Sequence, residues 1–399
     1  MNKRLKLFEL LKKESETLFT GSHNVFTPLA LTNNVLSKIN VENKTILVMY
    51  NVEFVITLIE VYNVNPEQIT FYSDHTNKSK LVDRFGVKYI EELSNMKFDL
   101  VIGNPPYNDS SVGRNPIWQN FVLNHQGNEC TSWIIPTSWM ISETSTFNEV
   151  RKFILDSGLK KIKINAKDSF ENAKVRTVTV VMEKDYKGLV EVQGKNNYFY
   201  DFRKHNILID TGSEKGNDVL FFLKRLTPVL GFTTKNKKDV IISAETTNTK
   251  DTKFLKKMTK AGNEYGYAPA EKFSYNKHDN CWRVVVGYRP SGLEMGDYRL
   301  GLTSIVEPGV KILHSPLVYI PVDSKEHAEN LQRYFKTKIV EEFILKNTRT
   351  SPTLDIKKSS GQTKFLPMLP KDVTITCEDD VYKFFNLNKE EINAVESSY

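Results

Sequence analysis

Short apolar runs, each closed by a turn signal and followed by a helix-like stretch, recur through the first half of this chain and restrict its fold more than any other feature. Thr45–Met49 reads as a buried strand and Glu53–Tyr62 as a helix. Gln68–Tyr72 is a second strand, closed by Ser73 and Asp74, with Lys78–Phe85 a short helix and Val87–Ile90 a third strand. Phe98–Ile102 is a fourth, stopped by Gly103 and two prolines. Ile117–Asn124 and Phe147–Ser157 read as helices; Cys130–Ile135, Leu159–Ile164 and Arg176–Met182 read as strands. An amphipathic stretch, Asn2–Phe19, precedes them all. Apolar runs of this length suit strands covered on both faces, and their alternation with helices predicts a doubly wound α/β sheet. Such a sheet binds its ligand at the carboxyl ends of its strands. The pattern degrades after about Lys187, where Lys, Asn, Thr and Gly dominate among scattered aromatics. A domain boundary is expected between Tyr186 and Asp210, dividing residues 1–200 from 201–399.

Composition narrows the class. At 399 residues the chain is long enough for two cores, so it needs no disulfide or metal staple. Cys130, Cys281 and Cys377 lie far apart, which argues against a disulfide framework and a zinc site and suits a reducing cytoplasm. No apolar run is long enough to span a bilayer, and no membrane association is expected. The net charge of +7 is compatible with a polyanionic partner.

The chemistry concentrates in Asn104-Pro105-Pro106-Tyr107, directly after the fourth strand. The two prolines stiffen the corner and leave carbonyls free of competing N–H groups. The Asn104 side-chain oxygen and the Pro105 carbonyl then offer two acceptors for one amino group, and Tyr107 offers a ring to stack on a base. The amino nitrogen of adenine is a poor nucleophile, because its lone pair is delocalised into the ring. Accepting both of its hydrogens is the help it needs. A base inside a duplex is out of reach, so it must be flipped out. Read structurally, the same residues are a Pro-Pro turn with a packing tyrosine.

This segment resembles motif IV of the amino-methyltransferases, and the motif order resembles the gamma class of N6-adenine DNA methyltransferases of restriction–modification systems. The resemblance implies a Rossmann-like methyltransferase sheet in residues 1–200, with helices on both faces, and an α+β target-recognition domain in 201–399. It also implies S-adenosylmethionine as cofactor, double-stranded DNA as substrate and direct methyl transfer to adenine N6. Val25-Phe26-Thr27-Pro28 matches the family's Phe-Thr-Pro motif, which places Phe26, Thr27 and Pro28 at the cofactor's methionine end. The same residues also read as a helix start, with Thr27 as cap and Pro28 in the first turn. Asp74 would take the ribose hydroxyls or is a solvated loop residue; Phe170 would stack on the flipped base opposite Tyr107 or is a core residue before a strand.

One departure stands out. The family's first motif is a glycine-bearing loop after the first strand, and here Val48–Phe54 contains no glycine. Asn51 or Glu53 is expected to supply the missing cofactor contacts; otherwise the chain is a DNA-binding relative that has lost cofactor binding. RNA and protein glutamine are alternative methyl acceptors for an Asn-Pro-Pro-Tyr corner. About twenty residues precede Phe26, too few for a nuclease domain, so cleavage is expected to need a separate restriction endonuclease.

In the C-terminal half, Lys235–Lys238, Lys256-Lys257 and Lys357-Lys358 are basic clusters. Arg283, Arg289, Arg299, Arg333 and Arg349 are interspersed with Tyr265, Tyr267, Tyr275, Trp282, Tyr288 and Tyr298. Each cluster alone is a solvated face. Together they suit phosphate contact and base readout. Phe343–Thr350 and Lys364–Pro367 resemble the closing segments of some recognition domains.

Overall fold

The apolar runs become strands because a strand buried on both faces needs no polar side chain. A computed structural model of the chain describes residues 3–18, 27–73, 82–93, 96–107, 117–124, 129–165, 176–205, 207–226, 247–259, 261–273, 276–287, 302–312, 317–348 and 362–399. The chain divides into two units, Met1–Met140 with Ser145–Leu208, and Ile141–Thr144 with Ile209–Tyr399.

In chain order the first unit contains α1 (Lys3–Leu18), α2 (Leu29–Leu36), β1 (Ile46–Met49), α3 (Val52–Tyr62), β2 (Ile69–Tyr72), β3 (Lys88–Ile90), β4 (Leu100–Gly103) and α4 (Trp118–Leu123). It continues with β5 (Cys130–Pro136), α5 (Ser145–Asp156), β6 (Leu159–Ile164), β7 (Thr177–Glu183), β8 (Val190–Gln193) and β9 (Asn197–Tyr200). The strands form one sheet in the order β3-β2-β1-β4-β5-β7-β6-β8-β9. β3 through β5 run parallel, while β7 is antiparallel to both β5 and β6. β1, β2, β4 and β5 are buried at every residue. The chain leaves β1 toward β2 and β3, then returns to β4 on β1's other side. The strand order reverses between β1 and β4, and open α/β sheets hold ligands at the carboxyl ends of the strands at such a point.

Two features sharpen this layout. Asp99 stands just before β4, and its Oδ2 accepts from both the N–H and the hydroxyl of Thr45, each at 2.8 Å, clipping the starts of β1 and β4 together. α3 ends where Asn63 takes the left-handed conformation (φ 53°), and the Val64 N–H donates back to the Leu58 carbonyl at 3.1 Å.

Differences from expectation are local. Of the helix expected over Lys78–Phe85, residues 78–81 lie outside the described residues, and Asp83–Phe85 is a single 3-10 turn. Where the pattern degrades after Lys187, the hairpin of β8 and β9 extends the sheet beyond β6. The alternating burial of Val190–Gln193 is the strand signal there.

The second unit is α+β. It begins with α6 (Glu214–Arg225), then β10 (Thr252–Thr259), β11 (Gly262–Ala268), β12 (Trp282–Gly287), β13 (Thr303–Val306), β14 (Lys311–Ile312) and β15 (Leu317–Val322). α7 (Lys325–Phe335), a π-helical stretch Ile339–Leu345, α8 (Glu378–Phe384) and α9 (Lys389–Glu396) follow. Among the described residues the strands form two small sheets, β11-β10-β14 and β13-β12-β15, joined by a core that includes Leu255, Val285, Val306 and Tyr319.

Candidate active site

β4 ends against β1 at unusually close range. A Cβ on Gly103 would lie 2.9 Å from both the Cβ and the carbonyl oxygen of Met49, so only glycine brings the chain this near. Asn104 follows at once, and Pro105 and Pro106 prevent the strand from continuing.

Asn104 is 7% exposed, and its polar groups are held on three sides. Its backbone N–H donates to Asn51 Oδ1 at 2.8 Å, and its Nδ2 donates to Thr27 Oγ1 at 3.2 Å. Its Oδ1 accepts from the Tyr107 hydroxyl at 2.8 Å. The Tyr107 carbonyl in turn accepts from the Ile117 N–H at 3.2 Å, tying the corner to the start of α4. Burial raises the Tyr107 phenol well above its ordinary pKa, so it stays a protonated donor.

The turn from β1 into α3 closes without glycine because Tyr50 itself takes the left-handed backbone, φ 68°. That conformation is strained for an aromatic residue. Tyr50 is anchored by its N–H, which donates to the Tyr72 carbonyl at 2.9 Å, and by edge-on ring contacts with Tyr72 and Phe121. Asn51 is the N-cap of α3 but makes no side-chain cap bond. Its oxygen serves Asn104 instead, so the helix forgoes roughly 1 kcal/mol of capping to hold the corner.

Glu53, in the first turn of α3, is 2% exposed, and its Oε1 accepts from the Thr27 N–H at 2.9 Å. Thr27 is therefore gripped at its backbone by Glu53 and at its hydroxyl by Asn104. It does not cap α2: the N-cap is Pro28, the helix begins at Leu29, and the Thr27 hydroxyl faces the corner.

Five residues singled out in the sequence, Thr27, Asn51, Glu53, Asn104 and Tyr107, are thus joined in one hydrogen-bonded chain, with Pro28, Pro105 and Pro106 flanking it. Phe26, Asp74 and Phe170 lie outside the described residues. Sequence reasoning passed over Tyr50 and Gly103. The signal for Tyr50 was a large aromatic at the turn position where glycine is usual.

The basic residues of the second unit separate into different roles. Arg283 is fully buried, donating to Asp279 Oδ1 at 3.2 Å and to the Glu307 carbonyl at 3.0 Å, so it is a core residue rather than a phosphate contact. Lys364 is likewise buried, with its Nζ 3.0 Å from the Ile141 carbonyl and 3.2 Å from Glu143 Oε1. Lys256 and Lys257 are exposed on β10, and Lys253 lies 4.2 Å from the centroid of the Tyr265 ring. Residues 235–238, 275, 288, 289, 298, 299, 349, 357 and 358 lie outside the described residues.

No protein-family model matches the chain. Among solved structures, it is similar to the type IIG restriction endonuclease BpuSI at a TM-score of 0.43 and 12% identity, covering 95% of this chain and 64% of that one. It is also similar to the methyltransferase subunit of a type I restriction-modification system from Streptococcus thermophilus, at a TM-score of 0.36 and 14% identity over 45% of this chain and 50% of that one. In sequence, an uncharacterized adenine-specific methylase of Mycoplasma pneumoniae is 31% identical over 127 residues, a match that covers 29% of this chain and 29% of that protein.

Proposed function

We propose that this chain is a DNA methyltransferase that moves a methyl group from S-adenosylmethionine to N6 of adenine. The observation that carries this reading is the Asn104 amide, fixed at the carboxyl end of β4 with its oxygen turned to Tyr107 and its nitrogen to Thr27. The 31% identity with a protein named as an adenine-specific methylase supports it.

The carboxyl end of β1 fits a small polar cofactor. Tyr50 supplies the tight left-handed turn that glycine usually provides, and Thr27, Asn51 and Glu53 place buried polar side chains beside it. Phe26, Thr27, Pro28, Asn51, Glu53 and Asp74 would hold S-adenosylmethionine. When bound, it supplies a methyl group on a positively charged sulfur. Since Asn51 and Glu53 also brace Asn104 and Thr27, their effect on cofactor binding includes the positioning of these two residues.

The chain's own residues do the rest. Asn104 Oδ1 and the Pro105 carbonyl accept the two amino hydrogens of a flipped adenine, concentrating the lone pair on N6. Asn104 Oδ1 is occupied by the Tyr107 hydroxyl, so the base must displace it. Tyr107 then stacks its ring on the base, with Phe170 on the other face. S-adenosylmethionine held beside this corner would supply its methyl group to the N6 that Asn104 and Pro105 position, and N6 would lose a proton to water. Positioning does most of the work. In this reading the substrate is double-stranded DNA, residues 1–200 carry catalysis, residues 201–399 recognise the target, and a restriction endonuclease is a separate partner.

The test is transfer of labelled methyl groups to duplex DNA, followed by methylation-aware sequencing. Wild type yields N6-methyladenine at one sequence context. Asn104→Ala loses about 10²–10³-fold in rate, the usual cost of removing one positioned hydrogen-bonding group from a reacting site. Tyr107→Phe keeps the ring and stays within a few-fold of wild type, whereas Tyr107→Ala does not. Undiminished transfer by Asn104→Ala, or label appearing only in RNA or protein glutamine, rejects the assignment. DNA binding with no cofactor binding selects a non-catalytic relative.

A further inference from the structure

A glycine in the left-handed conformation leaves open space at the end of a strand, whereas a tyrosine there must also place a ring. Directly after β1 the Tyr50 backbone has φ 68°, and the residue is 4% exposed, so its ring is enclosed. The ring's neighbours come from both sides of β1. Tyr72, the last residue of β2, meets it edge-on with 5.5 Å between ring centroids. Phe121 of α4, the helix that follows β4, meets it edge-on at 5.1 Å. β2 and β4 are the two strands that flank β1. A ring that touches Tyr72 and Phe121 together lies across the carboxyl end of β1, at the reversal of strand order where sheets of this kind hold a ligand.

The arrangement sets two effects against each other. Edge-on aromatic pairs at these separations attract. A left-handed backbone on a bulky residue is strained, and persists only where its surroundings hold it. Here the two ring contacts and the Tyr50 N–H, which donates to the Tyr72 carbonyl at 2.9 Å, hold it. A ligand that takes the space must separate the ring from Tyr72 and Phe121. The hydrogen bonds that join Thr27 to Glu53, Asn51 to Asn104 and Asn104 to Thr27 use no atom of this ring, so it can move without breaking them.

We propose that the Tyr50 side chain limits the affinity for S-adenosylmethionine by occupying part of its site, and that the cofactor binds only after the ring has left Tyr72 and Phe121. The identity of the ligand rests on the methyltransferase reading above. The backbone of Tyr50 does what a glycine does at this turn; its side chain adds an obstacle that a glycine lacks. Apparent affinity is then the intrinsic affinity multiplied by the fraction of molecules with the ring displaced.

The experiment is calorimetric titration of the full chain with S-adenosylmethionine, with thermal unfolding to identify any variant that does not fold. Tyr50→Gly accepts the same backbone without a ring, and binds about tenfold tighter than wild type or better, as expected for a displaced state populated at about 10% or less. Phe121→Ala removes one ring contact and leaves the turn untouched; it also binds tighter, and it decides the matter if Tyr50→Gly does not fold. Tyr50→Phe keeps the ring and stays within a few-fold of wild type. A second readout follows the ring itself: tyrosine ultraviolet absorbance changes when wild type binds, and that change is lost in Tyr50→Phe. If wild type binds and the folded Tyr50→Gly binds no tighter, the proposal is overturned and the methyltransferase reading stands. Weaker binding by Tyr50→Gly also overturns it, because the ring is then part of the binding surface. If neither wild type nor any variant binds S-adenosylmethionine, the methyltransferase reading and the proposal fall together.

Discussion

At the scale of single residues, the corner depends on a missing side chain and a diverted one. Gly103→Ala would force a methyl group within 2.9 Å of Met49's backbone oxygen and Cβ, so β4 must shift away from β1. A cost of about 1–3 kcal/mol is expected, from overpacking a closed core, read as a lower urea midpoint. Methyl transfer should fall with it, because Asn104 is the next residue. Asn51→Ala leaves the buried Asn104 N–H without its acceptor, at a cost of about 1–3 kcal/mol, whereas Asn51→Asp retains an acceptor oxygen and should recover most of that stability. Equal destabilisation by the two Asn51 variants would show that the bond is not what Asn51 contributes. The position of Asn104 and Tyr107 directly after β4 was legible from the apolar run before them. The contact of Thr27 with Asn104 spans 77 residues, and nothing local announces it.

At the scale of elements, two polar devices hold strands in place. The Asp99 carboxylate at the start of β4 lies below its ordinary value of 3.8, mainly because it accepts the Thr45 backbone N–H and then the Thr45 hydroxyl. A depressed carboxylate stabilises the fold above its unfolded pKa, and that contribution is lost as pH falls through the folded value. Thr45→Val removes the hydroxyl bond and should move the onset of acid unfolding to higher pH, followed by circular dichroism. In β12, Arg283 bridges Asp279 to the carbonyls of Glu307 and Val310 from a fully buried position. Arg283→Ala should cost about 3–5 kcal/mol, while Arg283→Met, which fills the space, should cost less. An alanine variant as stable as wild type in denaturant would rule out this structural role. The central strands were readable as apolar runs. The β8–β9 hairpin was missed because each strand is only four residues long and carries no continuous apolar run, with Asn197 and Phe199 exposed. Arginines that looked alike in the sequence part company here: Arg283 is enclosed, whereas Arg333 is exposed, with its Nε bonded to the Ile375 carbonyl.

At the scale of the whole molecule, 55 basic residues against 48 acidic ones leave a net charge of +7. If duplex DNA is the substrate, binding must weaken as salt rises, with log affinity falling by about 0.9 per neutralised phosphate for each decade of salt. Filter binding between low and physiological salt checks this, and an affinity indifferent to salt would be incompatible with DNA as the partner. The sequence alone determined the α/β class of the first unit and the location of the Asn104 corner, because both follow from local rules: apolar runs seek burial on two faces, and Pro-Pro ends a strand. Tertiary structure alone decided that Asn51 abandons its helix cap for Asn104 and that Tyr50 takes glycine's backbone conformation. It alone decided, too, that Lys161 and Lys163 lie near Lys38, from the turn after α2. Those outcomes depend on which strands lie side by side. Sheet order is set by packing the whole chain at once, and no short stretch of sequence carries it.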